Sequence, residues 1–261
     1  MSHDDSGVSP FDQFYENTLR LNKLWAAQGA DFVMPPELGI LLLLGYVSAV
    51  ESFMRALLRR VVSIDKYSQV NCEKQQLSFG AAMHHNQKML PEALLEETVF
   101  SGKDNIVKAV KKFIDVAVDS KDVLALLDQY DSVCELRHCC VHRFGKLGTK
   151  NAISLGLQGH RQVIEKPLNL SAGDIASIAD LLITLVRSLN NFVFGSVLSR
   201  TATGVLKGGS TRGLGWTWVK SRDRALYRRY YTIFASIQPG AESMAADEMY
   251  DRFRDVFKGV R

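Results

Sequence analysis

Residues 35–64 read PPELGILLLLGYVSAVESFMRALLRRVVSI, and this stretch decides the fold. The proline pair stops whatever precedes it, and Pro36 is suited to open a helix because its missing N–H is an orphan there anyway. Residues 38–50 carry no charge. As a helix they reach about 20 Å, short of the roughly 30 Å hydrocarbon core of a bilayer. Glu51, Arg55, Arg59 and Arg60 follow at once. The stretch therefore reads as a core helix to about Ile64, not a membrane span. Its first half is apolar all round, which places it across the centre of a helical bundle.

The flanking sequence continues in the same style. Ser9–Pro10 reads as an N-cap and first helical position. Phe11, Phe14, Thr18, Leu21 and Trp25 then recur at helical steps until about Gly29. Residues 66–90 suggest short helical pieces around Gln75–His84, broken at Gly80, with another short helix from Pro91. Residues 103–118 read as an amphipathic helix through Ile106, Val110, Phe113 and Ile114. Asp119 or Ser120 caps the next, whose stripe is Leu124, Leu127, Tyr130, Val133, Leu136 and Cys140, closing near Gly145 and Gly148. Residues 149–170 suggest an irregular loop or small hairpin. Ser171 opens a long helix to about Arg200. TATGVLKGGSTRGLGWTW at 201–218 has turn or strand character, and helices are expected at 222–235 and 241–257. The fold class is all-α: a bundle over residues 1–200 and a small basic extension, mixed or helical, over 201–261.

Composition bounds the function. With 46% hydrophobic and 23% charged residues, a 261-residue chain is neither disordered nor collagen-like. Its four cysteines, two of them adjacent, make no disulfide scaffold. The polar, acidic start MSHDDSGVSP is no secretory signal, so a reducing cytoplasm is the expected location. Residues 201–261 hold eleven of the 32 Lys and Arg but six of the 28 Asp and Glu, so the positive excess is local.

The segment Arg137-His138-Cys139-Cys140-Val141-His142, followed by Arg143-Phe144-Gly145-Lys146, carries the chemistry. Histidine titrates near neutrality and can take or give a proton. Arginine stays charged and holds two phosphate oxygens. These types suit RNA cleavage without a metal, in which the 2′-hydroxyl attacks the neighbouring phosphate. Arg137 and His142 lie five residues apart, about 140° around a helix. They converge if the helix frays at His142, or if two copies meet across a two-fold axis.

This segment resembles the R-x4–6-H motif of the HEPN superfamily, all-α proteins that include metal-independent ribonucleases of toxin–antitoxin and anti-phage systems. Arg137, four residues and His142 match the spacing. His138 matches the polar residue that follows the arginine, and Gly145-Lys146-Leu147-Gly148 is similar to the turn in family members. Residues 47–55, VSAVESFMR, resemble the early helix that often presents an acidic residue to the motif, here Glu51. The resemblance covers about residues 35–200. It implies a HEPN-type homodimer acting as a metal-independent endoribonuclease, with Arg137 and His142 catalytic, His138 and Glu51 supporting, no cofactor, RNA as substrate, and an antitoxin or defence-system protein as partner. The alternative is a non-catalytic HEPN-like module that binds RNA, a nucleotide or a protein.

Plainer readings stand beside these. Arg137 also suits a structural pair with Glu51 or Glu135, and His142 a cation at a helix C-terminus. Glu51 and Arg55 are spaced for an i,i+4 pair. Cys134 with His138, Cys139 with His142, and His84 and His85 offer metal-ligand types without the clear paired spacing of a zinc site. Cys139 beside His142 admits a thiol nucleophile. The glycines at 204–215 form no phosphate-binding motif. Last, Arg200, Lys207, Arg212, Lys220, Arg222, Arg224, Arg228 and Arg229 are interleaved with or followed by Trp216, Trp218, Tyr227, Tyr230 and Tyr231. Cations track a phosphate backbone and aromatics stack on bases, so Lys220, Arg222, Arg224, Arg228 and Arg229, with Arg143 and Lys146, are candidate RNA contacts. The same aromatics equally suit anchoring of the tail to the bundle.

Overall fold

In the computed structural model, residues 7–28, 32–84, 89–204 and 214–259 are described. They form twelve α-helices and, among the described residues, no strand. The helices are α1 (Pro10–Asn22), α2 (Pro36–Ile64), α3 (Lys66–Cys72), α4 (Phe79–His84), α5 (Leu90–Leu95), α6 (Lys103–Ile114), α7 (Lys121–Arg143), α8 (Thr149–Ser154), α9 (Leu157–His160), α10 (Ala172–Thr203), α11 (Lys220–Phe234) and α12 (Ala246–Phe257).

Helix α2 takes the centre. It touches α1, α3, α5, α6, α7, α10 and α11, and α2, α7 and α10 contact one another. Leu42, Leu43, Tyr46, Val50, Phe53, Leu57 and Val61 are buried along its length. By length and composition α2 and α10 would each suffice to cross a bilayer, but here both contribute their apolar faces to the bundle.

Local chemistry sets most boundaries. Ser9 Oγ accepts the Asp12 N–H, and Ser120 Oγ accepts that of Val123. Ser171 and Asp174 form a reciprocal capping box that also holds the Asp174 carboxyl below its ordinary range. Asp65 ends α2 and caps α3 through the Ser68 N–H at 2.8 Å.

Four expectations change. Helix α6 stops at Ile114 rather than 118, because Asp115 turns left-handed (φ 49°). The extended residues beyond it bury Val116 and Val118 and expose Ala117 between them, the alternation an extended chain imposes. Gly80 lies inside α4, which starts only at Phe79. Ser78 Oγ caps it through the Ala81 N–H, and a glycine in the first turn interrupts no established ladder. Residues 149–163 form α8, α9 and a 3-10 turn, after which Glu165–Leu168 pairs back along Gly145–Leu147. In the 201–218 segment, residues 205–213 lie outside the described residues. The described remainder has no strand: α10 runs on to Thr203, and the Trp216 indole donates to Thr201 Oγ1.

The C-terminal helices share the bundle's core. Trp216, Tyr227, Tyr230, Phe234, Tyr250 and Phe253 are buried in the same apolar cluster as α2 and α10. Three buried carboxylates fasten this region. Asp12 accepts from Ser236 Oγ and the Ile237 N–H. Asp223 accepts from Thr217, the Trp218 N–H and the Tyr250 hydroxyl. Asp65 accepts from Ser68, Arg200 and the Tyr230 hydroxyl.

Candidate functional site

Helix α7 ends between two cores. Cys140 is buried in the main one, and Cys139 in a satellite with Leu147 and Ala152. Those two faces are consumed, and Arg137, His138, Val141 and His142 occupy the rest of the circumference. The helix is regular to Arg143 and closes through Phe144 (φ 51°) and Gly145 (φ 85°). The left-handed turn foreseen at the glycine thus begins one residue earlier, on a phenylalanine. Glycine suits position 145. Its φ is positive, and a Cβ there would stand 2.8 Å from Ile40 Cδ1.

Regularity to Arg143 removes the fraying route by which Arg137 and His142 were expected to converge in one chain. Arg137 is partly buried and lines a cavity of about 670 Å³ between α2 and residues 96–100. Ser48, Glu51, Ser52, Arg55, Glu96 and Glu97 line it too. His142 is exposed and does not line that cavity. Its ring lies 6.3 Å, centroid to centroid, from that of His138 one turn earlier. Within the chain Arg137 and Glu51 therefore line one cavity and His138 lies near His142, without the two pairs sharing a cleft.

The plainer pairings are not those formed. Among the described residues Arg137 has no hydrogen-bonded or ion-paired partner. Glu135 instead accepts from Asn151 Nδ2 at 2.7 Å. Arg55 does not pair with Glu51. Its guanidinium donates to the Leu95 and Thr98 carbonyls, lies near Glu92 and covers the Phe100 ring, so it pins the chain after α5 against α2.

Burial dominates the ionisable groups beneath the site. It pushes the Tyr130 hydroxyl well above its ordinary value; Cys134 and Glu51 push the same way, and Arg137 opposes them. Burial pushes the Cys134 thiol up to about 12 and the Cys72 and Cys140 thiols to about 11. Among the described residues no group of three or more His, Cys, Asp and Glu side chains is arranged to hold a metal ion; His85 lies outside them.

The candidate RNA contacts divide. Arg143 Nη2 donates to both carboxylate oxygens of Glu165 at 2.7 Å. Lys146 is exposed. Lys220 pairs with Asp251, while Arg224 and Arg228 approach Asp247 at 3.5 and 3.9 Å. Arg200 is committed to Asp65 and the Ile114 carbonyl. Lys207 and Arg212 lie outside the described residues. Arg222 and Arg229 are exposed, with no ion pair among the described residues. Sequence reasoning missed the acids that meet the tail. Asp247 and Asp251, four apart on α12, carried a legible signal; the second cavity wall at residues 96–100 did not.

Set against family models, curated proteins and solved structures, the chain matches none. The class that fold and site define is accordingly the broad one, an all-α helical bundle.

Proposed function

We propose that the chain is a metal-independent endoribonuclease of HEPN type, acting as a homodimer through Arg137 and His142. The observation that carries this reading is the state of the motif. Arg137 lines an open cavity with no hydrogen-bonded or ion-paired partner among the described residues, and His142 stands exposed on the same continuous helix. A structural arginine would be spent on a carboxylate or carbonyl, as Arg55, Arg143 and Arg200 are. In the reaction, a neutral histidine takes the 2′-hydroxyl proton as that oxygen attacks phosphorus. Arg137 stabilises the charge on the phosphorane oxygens, and a protonated histidine gives its proton to the leaving 5′-oxygen. The 140° between Arg137 and His142 on an unbroken helix favours a cleft built from two copies. RNA incubated in EDTA with wild type, Arg137→Ala and His142→Ala tests the reading. Cleavage by wild type and a loss of roughly a hundredfold or more in each variant is expected. Equal activity in the variants overturns it.

A second reading, a non-catalytic HEPN-like binding module, draws on one observation. Glu51, Glu96 and Glu97 share the cavity with Arg137, and three carboxylates suit a cationic protein segment better than a phosphate chain.

A further inference from the structure

Phe144 is the most exposed large apolar side chain among the described residues, at 86%. Phenylalanine is ordinarily a core residue, and this one also occupies a left-handed backbone position that disfavours any residue with a Cβ. The turn itself does not ask for it. Asparagine or glycine would fit that backbone better, and the close approach to Ile40 falls on Gly145. The backbone beneath the ring is hydrogen-bonded on both sides. Gly145 donates its N–H to the Cys139 carbonyl, and its own carbonyl accepts from Leu168. A rigid turn thus presents an unstacked aromatic face to solvent at the end of the motif helix.

The surroundings select what covers that face. His142 two residues before and Lys146 two residues after are both exposed, and no acid lies between Arg137 and Lys146. Glu165 reaches this end and is paired with Arg143. The cavity side of Arg137 is the opposite, with Glu51, Glu96 and Glu97 facing any phosphate that enters. A strand passing along the outer end of α7 meets His142, Lys146 and the Phe144 ring. A flat π-surface joined to an anion fits this arrangement.

Resting on the ribonuclease reading, we infer that Phe144 is the stacking platform for a nucleobase flanking the scissile phosphate. It is a positioning residue that holds single-stranded RNA beside His142. Base stacking on an aromatic tolerates any base, so the contact sets where the strand lies rather than which sequence is chosen.

The test measures binding of a fluorescent single-stranded RNA to the His142→Ala protein, with Phe144 intact or changed to Asn, Tyr or Trp. Phe144→Asn should weaken binding roughly 5- to 150-fold, the range of one lost stack, with melting temperature unchanged or raised by relief of the backbone. Phe144→Tyr and Phe144→Trp should bind within about threefold of the parent. Single-turnover cleavage by Phe144→Asn in the otherwise wild-type chain should recover at saturating RNA. If wild type cleaves RNA while Phe144→Asn binds and cuts equally well, stacking is overturned and the ribonuclease reading stands. If Phe144→Asn leaves RNA affinity unchanged but shifts sedimentation towards monomer, the ring belongs to a contact with a second copy. If the wild-type chain neither binds nor cuts RNA, the ribonuclease reading falls and this inference with it.

Discussion

Two segments of this chain are rich in cations and aromatics, and the fold treats them in opposite ways. On α11, Lys220, Arg224 and Arg228 meet acids of α12, and Tyr227 and Tyr230 are buried. At the end of α7, Arg137, His138 and His142 keep no ion-paired partner among the described residues, and Phe144 stands in solvent. Availability for a ligand is thus decided by which carboxylates fold back onto a basic segment, not by how many cations it contains. The tail carries the larger positive excess, yet among the described residues the shorter motif leaves a larger share of its donors uncommitted.

Four measurements break or sharpen that contrast. The largest effect is expected at α7. His142→Ala should lower RNA cleavage by roughly 10²–10⁴-fold, the span of a lost general acid or base, while thermal unfolding moves by no more than a degree or two. A matching loss of stability would make the motif as structural as the tail. Next comes the buried pair beneath the tail. Asp65→Ala strands the Arg200 guanidinium and removes the acceptor of Tyr230. Breaking such a pair costs about 3–5 kcal/mol, a fall of roughly 6–20 °C in melting temperature for a chain of this size. Arg224→Ala, at a half-exposed pair, should cost about 1 kcal/mol or less. Equal melting curves for the two variants would remove the distinction between clasp and surface.

Smaller effects follow for binding. In the His142→Ala background, Arg222→Gln and Arg229→Gln should each reduce the slope of log affinity against log salt by about 0.7 if the residue meets a phosphate. Lys220→Gln, already paired, should leave the slope unchanged. A slope change at Lys220 alone would mean that the α12 acids yield to RNA. The smallest effect concerns the thiols. With Cys134 pushed up to about 12 and Cys72 and Cys140 to about 11, little thiolate exists at pH 8. These three should label with a thiol reagent far more slowly in the native chain than in denaturant. Rapid native labelling of any of the three would show that its burial is not kept in solution.

What was legible in the sequence was local. Ser9, Pro36, Ser120 and Ser171 announce helix starts because capping is settled within three or four residues. The end of α6 at Asp115 was not, since Val116 and Val118 are drawn into the core as an extended piece by neighbours far along the chain. Gly80 misled because a glycine signals a break by propensity alone. At the site, Arg137 and His142 were legible from type and spacing, and Glu51 was placed on the cavity wall by the early helix. The remainder is non-local. Asp65 and Arg200 are 135 residues apart, and residues 96–100 close the cavity only after α5 has packed on α2.

The three buried carboxylates also bear on how the molecule assembles. Asp12 meets Ser236 across 224 residues of chain, and Asp65 meets Tyr230 across 165. Short-range helices form within microseconds, whereas contacts of such separation wait on slow loop closure. Ser68 gives Asp65 a donor three residues away, and Thr217 and Trp218 serve Asp223 within six, so local bonds are available to these two acids before the long-range ones close. The interval leaves the apolar faces awaiting α11 uncovered. The seating of α11 and of residues 236–237 closes the core and gives Asp12 and Asp65 their distant donors.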